Sequence, residues 1–339
     1  MVTSGGTKQY VISASIVTII FGIAISYFFI SIALSKTDDF YEFCTKAVGK
    51  LLTRVIFMFY LLAFIIYNAA YTRDFSGVIH MYILPRIPLP FFSIVMIMVL
   101  VVYISYKGIT ILGRVSEILF IVVYSTVIVI FLISLNQLNF NFLMPVFNGA
   151  LKPSIYGAIA QAPQYEDLML WLFILPQLKD RKDIKKWMPL SVLVSGIFVI
   201  TASSVIIGFF GAPLAKKFYY PFYYLLRSIK ISENISGFDI LFIPIWYITS
   251  FIKLSLYFFA ELYIIKRLFN LISFKQYVIP LALLITSLSV IMFQSQKDLI
   301  TFLSINVLGV ITPVFFIFVP LFISLIYLIR MRYTNSKKV

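Results

Sequence analysis

Gly157-Ala-Ile-Ala-Gln161-Ala-Pro163-Gln164-Tyr165-Glu166-Asp167-Leu168 sits inside an otherwise apolar run, residues 154–176. A run of that length and character reads as a helix crossing a bilayer. Pro163 lacks a backbone donor and clashes with the preceding turn, so the helix should kink or unwind there. Two carboxylates follow at once, near mid-span, where ionisable groups are costly and usually face the bundle interior or line a path. Secondary transporters often build a substrate site from a discontinuous helix at this depth. The plainer alternative is a Pro-kinked helix whose acids meet a local cation or water.

Similar apolar runs occupy most of the chain. Of 339 residues, 61% are hydrophobic and 12% charged, with a mean hydropathy of +1.00. A water-soluble domain of this length could not hide that much apolar surface. Nine candidate spans follow, at 10–34, 54–83, 90–105, 113–134, 154–176, 188–212, 238–263, 277–293 and 299–329. Each is too long and too evenly apolar for an alternating barrel strand, so the expected class is an all-α polytopic membrane protein. Eighteen of the 28 cations fall on one set of flanks, among them Lys179–Lys186 and Arg330–Lys338, and eight on the other. The positive-inside rule makes the richer side cytoplasmic and the C-terminus internal, with 213–237 outside. The formal charge of +15 then reflects loops against anionic lipid rather than nucleic acid.

Cys44 and His80 are each the sole residue of their type. An internal disulfide and cysteine or histidine metal clusters are thereby excluded. No clustered His, Ser/His or paired-acid constellation, P-loop or dinucleotide fingerprint is present, and an enzyme or a cofactor is not expected.

The remaining intramembrane polar groups are the other site candidates. Lys253 lies about ten residues from the cytoplasmic end of its span, roughly 15 Å, too far for easy snorkelling. It needs a partner, a carbonyl cage or a depressed pKa. Thr249 precedes it by one turn. Asn68 and Thr72 share a helix face. Arg73 and Asp74, adjacent and so pointing apart, are expected in separate structural ion pairs, and Arg114 with Glu117 in an i,i+3 pair. Glu261 is expected in an interfacial pair with Lys266.

Several segments in order resemble the B-subunit permeases of bacterial spore germinant receptors, within the amino acid–polyamine–organocation superfamily. They are Tyr71-Thr-Arg73-Asp74-Phe75, Gly113-Arg114-Val-Ser-Glu117-Ile118, Leu143-Met-Pro145-Val, the broken span with Glu166, Leu175-Pro176-Gln-Leu-Lys179-Asp180, Tyr220-Pro221 with Leu226-Arg227-Ser-Ile, and Trp246 with Phe251-Ile252-Lys253-Leu-Ser. The resemblance implies a LeuT-type bundle of two inverted five-helix repeats, here a partial first repeat at 1–135 and a second at 150–330. It implies a small germinant such as an amino acid in a pocket for which Pro163, Gln164, Tyr165, Glu166, Asn68, Thr72, Thr249 and Lys253 are the candidates. It also implies A and C partner subunits in the spore inner membrane. Residues 2–9 resemble the loop after the family's first helix, so an apolar helix is expected just upstream, and Tyr165 stands where the family often has a small residue. A proton-coupled amino acid permease is the alternative, and a ligand-free membrane scaffold a third class.

Overall fold

The computed structural model describes residues 11–35, 37, 39–144, 154–155, 157–158, 161, 165–177, 183–232, 235–304 and 307–336. Helices dominate: α1 (Val11–Ala33), α2 (Phe40–Val48), α3 (Lys50–Tyr82), α4 (Leu89–Lys107) and α5 (Ile109–Ser134). There follow α6 (Asp167–Ile174), α7 (Ile184–Ala215), α8 (Pro221–Ser228) and a small antiparallel pair, β1 (Lys230–Ser232) with β2 (Ile235–Ser236). The chain continues through α9 (Phe242–Leu268), α10 (Val278–Ile291), α11 (Gln296–Phe302), α12 (Leu308–Pro313) and α13 (Val319–Ser336). Among the described residues seven helices are long and apolar enough to cross a membrane, or eight if one bent pair counts as a span. Large apolar side chains stand bare on them, Ile118 and Ile121 at 67% and Ile329 at 67% exposure, a surface suited to lipid rather than water. The protein is an all-α polytopic membrane protein.

Two of the expected spans differ in the structure. Residues 299–329 are not one helix: α11 is bent 110° from the 275–291 segment, and the crossing helix begins at Ile311. Ser295 and Asp298 form a reciprocal capping box that starts α11 afresh and gives the helix its own N-terminus. Pro313 then removes a donor, and the next turn, Val314–Phe318, widens into π-helix. Residues 154–176 lie partly outside the described residues, Pro163 and Gln164 among the omitted ones. Their described C-terminal part is α6, eight residues long.

The chain divides into two compact units. The first comprises 1–26, 117–164 and 185–249. Within it Ser15 donates to Gln161 at 2.9 Å, and the Asn139 N–H donates to the Gly208 carbonyl at 2.9 Å. Gln137 ties down β1 through both the N–H and the C=O of Lys230. Inside α7, Gly211 takes φ +72°, a left-handed conformation that kinks the helix two residues before Pro213. The aromatic 213–237 segment folds as α8 and the hairpin, and Tyr220 and Phe242 both pack on Trp246.

The second unit comprises 27–116, 165–184 and 250–339. Its core is aromatic: Phe57, Tyr60, Phe64 and Phe316 are fully buried, and Phe173 of α6 lies 5.3–5.9 Å from the first three. Edge-to-face and offset pairs of this kind add about 0.5–1.5 kcal/mol each beyond area burial. Gly49, at φ +88°, makes the tight link between α2 and α3 that a β-carbon would strain. With Tyr257 of α9 5.6 Å from Phe64, and Phe316 in the turn that follows α12, this core draws on α3, α6, α9 and that turn, and the polar residues of the next section lie on or beside these elements.

Candidate functional site

Glu166 is the N-cap of α6 and only 3% exposed. Its Oε1 accepts hydrogen bonds from Tyr71 of α3, from Tyr257 of α9 at 3.2 Å and from Lys253 Nζ at 3.5 Å. Its Oε2 accepts from Thr312 of α12 at 3.4 Å. Asp167, the first residue of α6, takes Lys253 at 3.3 Å and the Tyr257 hydroxyl at 3.0 Å. Lys253 therefore bridges two adjacent carboxylates, and its ammonium also lies 3.9 Å from the Tyr71 ring centroid, a cation–π contact. Tyr67 closes the ring by sharing a hydrogen bond with Thr312 at 3.2 Å.

The local reasons are helical. Lys253 and Tyr257 are four residues apart on α9, and Tyr67 and Tyr71 four apart on α3, so each pair shares a face. Backbone N–H groups at the start of α6 favour negative charge, and both acids sit in that first turn. Formally the cluster holds two negative charges against one positive. Glu166 is sealed, whereas the Asp167 and Lys253 side chains keep 44% and 31% exposure. The open side of the cluster is thus the side of Asp167, carrying an excess of negative charge suited to a cationic group.

The remaining candidates fall elsewhere. Asn68 and Thr72 are wholly buried one turn apart on α3, but Asn68 donates to Glu261 at 3.1 Å rather than to the Glu166 cluster. Thr249 is exposed and its hydroxyl donates to the carbonyls of Ile245 and Trp246 on its own helix. Tyr165 is half-buried, and Pro163 and Gln164 lie outside the described residues.

Arg73 keeps a buried Nε without a hydrogen-bond partner, and Asp74 is half-buried beside it. The ion pairs found among the described residues join Lys46–Glu42, Lys253–Glu166, Lys253–Asp167 and Arg267–Asp39, and Arg73 is in none of these four. Arg114 and Glu117 are both exposed and unjoined as well, consistent with the few tenths of a kcal/mol such a surface pair offers. Glu261 is not interfacial: it is 0% exposed and bonded to Asn68, and Lys266 forms no ion pair with it.

Tyr71, Tyr257 and Thr312 complete the cluster without having been site candidates from sequence, and Asp167 was read only as the second carboxylate of the broken span. The signal for the two tyrosines was spacing, three residues beyond Asn68 and four beyond Lys253. Among 22 tyrosines that signal is faint.

The chain is similar to known proteins over most of its length. The family model described as "Spore germination protein" matches residues 12–299. Spore germination protein KB of Bacillus subtilis (strain 168) is 26% identical over 253 residues, 74% of this chain and 68% of the relative. Putative spore germination protein YfkT of the same strain is 25% identical over 275 residues, covering 80% and 74% respectively. Spore germination protein A2, again of that strain, is 21% identical over 256 residues, 74% and 69%. With the match spanning α1 to α11, this chain belongs to the spore germination protein family of multi-pass membrane proteins.

Proposed function

We propose that this protein is the germinant-sensing membrane subunit of a spore germination receptor, binding a small nutrient such as an amino acid. The observation that carries the reading is the Glu166–Asp167–Lys253 cluster, with its excess negative charge and half-exposed Asp167. An ammonium group would meet Asp167 on the open side, while Lys253 and the Tyr71 and Tyr257 hydroxyls hold Glu166 in place. Pro163, Gln164 and Tyr165, which precede α6 in sequence, remain candidates for ligand contact in this reading, as do Asn68, Thr72 and Thr249. A LeuT-type arrangement with repeats at 1–135 and 150–330 would supply two states for a bound ligand to select between. Sensing then needs no chemistry on the ligand and no cofactor, and the signal passes to A and C subunits in the spore inner membrane. The cation bias of the loops supports a cytoplasmic C-terminus.

Thermal shift of the purified protein with each amino acid, beside its N-acetyl derivative, tests the reading. One or a few free amino acids should stabilise the protein and their acetylated forms should not. Equal shifts with both forms, or none with any, would overturn it. Uptake of the stabilising amino acid in labelled form by proteoliposomes holding this chain alone would instead favour the permease.

A further inference from the structure

Glu261, another buried acid, has a different environment from Glu166 and from Asp39, each of which is paired with a cation. Glu261 of α9 is fully buried, and its one hydrogen bond is from a neutral donor, the Asn68 amide, at 3.1 Å to Oε1. Its Oε2 is buried and unpartnered, as are Asn68 Oδ1 and the Thr72 hydroxyl one turn along α3. The Asn68 amide also reaches the Leu254 carbonyl at 3.5 Å, which fixes it against α9. An ionised carboxylate in so apolar a position, with a single amide for company, carries a prohibitive desolvation cost.

Among the described residues, no cation on the surrounding elements offsets that charge. On α9, Lys253 is held by Glu166 and Asp167, Arg267 by Asp39, and Lys266 forms no ion pair with Glu261. On α3, Arg73 is five residues past Asn68 and so on a different face, and the hydroxyls of Tyr67 and Tyr71 are bonded to Thr312 and Glu166. The Tyr257 hydroxyl is likewise taken by Glu166 and Asp167, and Tyr263 by Arg267. On α4, Tyr103, Tyr106 and Lys107 are exposed, as is Arg114 of α5, and α10, packed along α3, has no titratable residue.

We propose that Glu261 is a proton-binding site, carrying its proton inside the bundle with Asn68 as the fixed neutral partner. Glu166 and Glu261 then have opposite charge states set by their surroundings: Glu166 is ionised against lysine, and Glu261 is neutral against an amide. Lys253, Tyr257 and Glu261 fall at i, i+4 and i+8 along α9, so the proton sits about 12 Å from the ion pair on the same stripe. This assignment stands apart from the germinant reading and survives its failure.

Infrared difference spectroscopy of the full-length protein in lipid nanodiscs at neutral pH, wild type minus Glu261→Gln, is the test. The expected result is the loss of one protonated-carboxyl C=O band. Loss of carboxylate intensity alone would overturn the proposal. Should Glu261→Gln not fold, Asn68→Leu gives a second reading: removing the hydrogen bond to Oε1 should shift the same C=O band. A protonated-carboxyl region identical in wild type and Asn68→Leu would likewise overturn it.

Discussion

Replacing Lys253 by Met removes the one cation of the cluster and leaves two acids facing each other. Breaking a buried ion pair by deleting one partner costs roughly 3–5 kcal/mol. The Lys253 side chain is 31% exposed, which places the loss near the low end. Glu166 also keeps donors from Tyr71, Tyr257 and Thr312, each a charge-assisted bond worth about 1.5–3 kcal/mol. The expected destabilisation is therefore about 2–3 kcal/mol. Glu166→Gln costs less, about 1–2 kcal/mol, because Lys253 keeps Asp167 at 3.3 Å. In the double variant the uncompensated buried charge is gone, so the two losses should not add. A coupling energy of about 1–3 kcal/mol is expected for side chains in direct contact. Reversible unfolding in mixed detergent micelles would measure the four corners of the cycle. Additivity within about 0.5 kcal/mol, the scatter seen for independent sites, would refute the coupling and with it the reading of Lys253 as the partner of Glu166.

The same structure makes further claims. Arg267 pairs with Asp39, whose side chain is 0% exposed and caps α2 by accepting from the Glu42 N–H at 2.9 Å. Arg267→Met should therefore destabilise by about 2–4 kcal/mol, and adding Asp39→Asn, which keeps the cap without the charge, should recover part of it in the same unfolding assay. A β-carbon at Gly196 of α7 would collide with the Ile19 side chain. Gly196→Ala should thus lower stability by about 1–2 kcal/mol and be rescued by Ile19→Ala. For topology, a single cysteine at position 183 in a Cys44→Ala background should react with an impermeant thiol reagent only from the cytoplasmic face of oriented vesicles, and labelling from the outside alone would invert the assignment.

Much of this fold is legible in the sequence because bilayer thickness sets a length that apolar runs must meet. Residues 50–82, 184–215 and 242–268 announce themselves that way. The break before α11 does not, since Gln294-Ser-Gln-Lys-Asp298 holds neither proline nor glycine and reads as a loop between two crossings. Its 110° bend depends on a capping box and on Phe293 and Leu299 packing against Ala70, a long-range contact with no local mark. In the site, Lys253 and Glu166 stand out because charge in mid-span is rare. Glu261 was harder to place because Lys266 follows five residues later in sequence, whereas its partner, Asn68, is on α3. The tyrosines around Glu166 were hidden by abundance: nothing in a Tyr-rich chain marks which hydroxyl will meet a carboxylate until the helices are docked.

The most direct test of the central claim is the germinant response of spores carrying Lys253→Met, Glu166→Gln or Lys266→Met in place of the wild-type chain, at matched protein levels. The account predicts that the first two abolish the response and that Lys266→Met, which leaves the cluster intact, responds almost as wild type. Lys253→Met spores that germinate with unchanged concentration dependence and rate would contradict it.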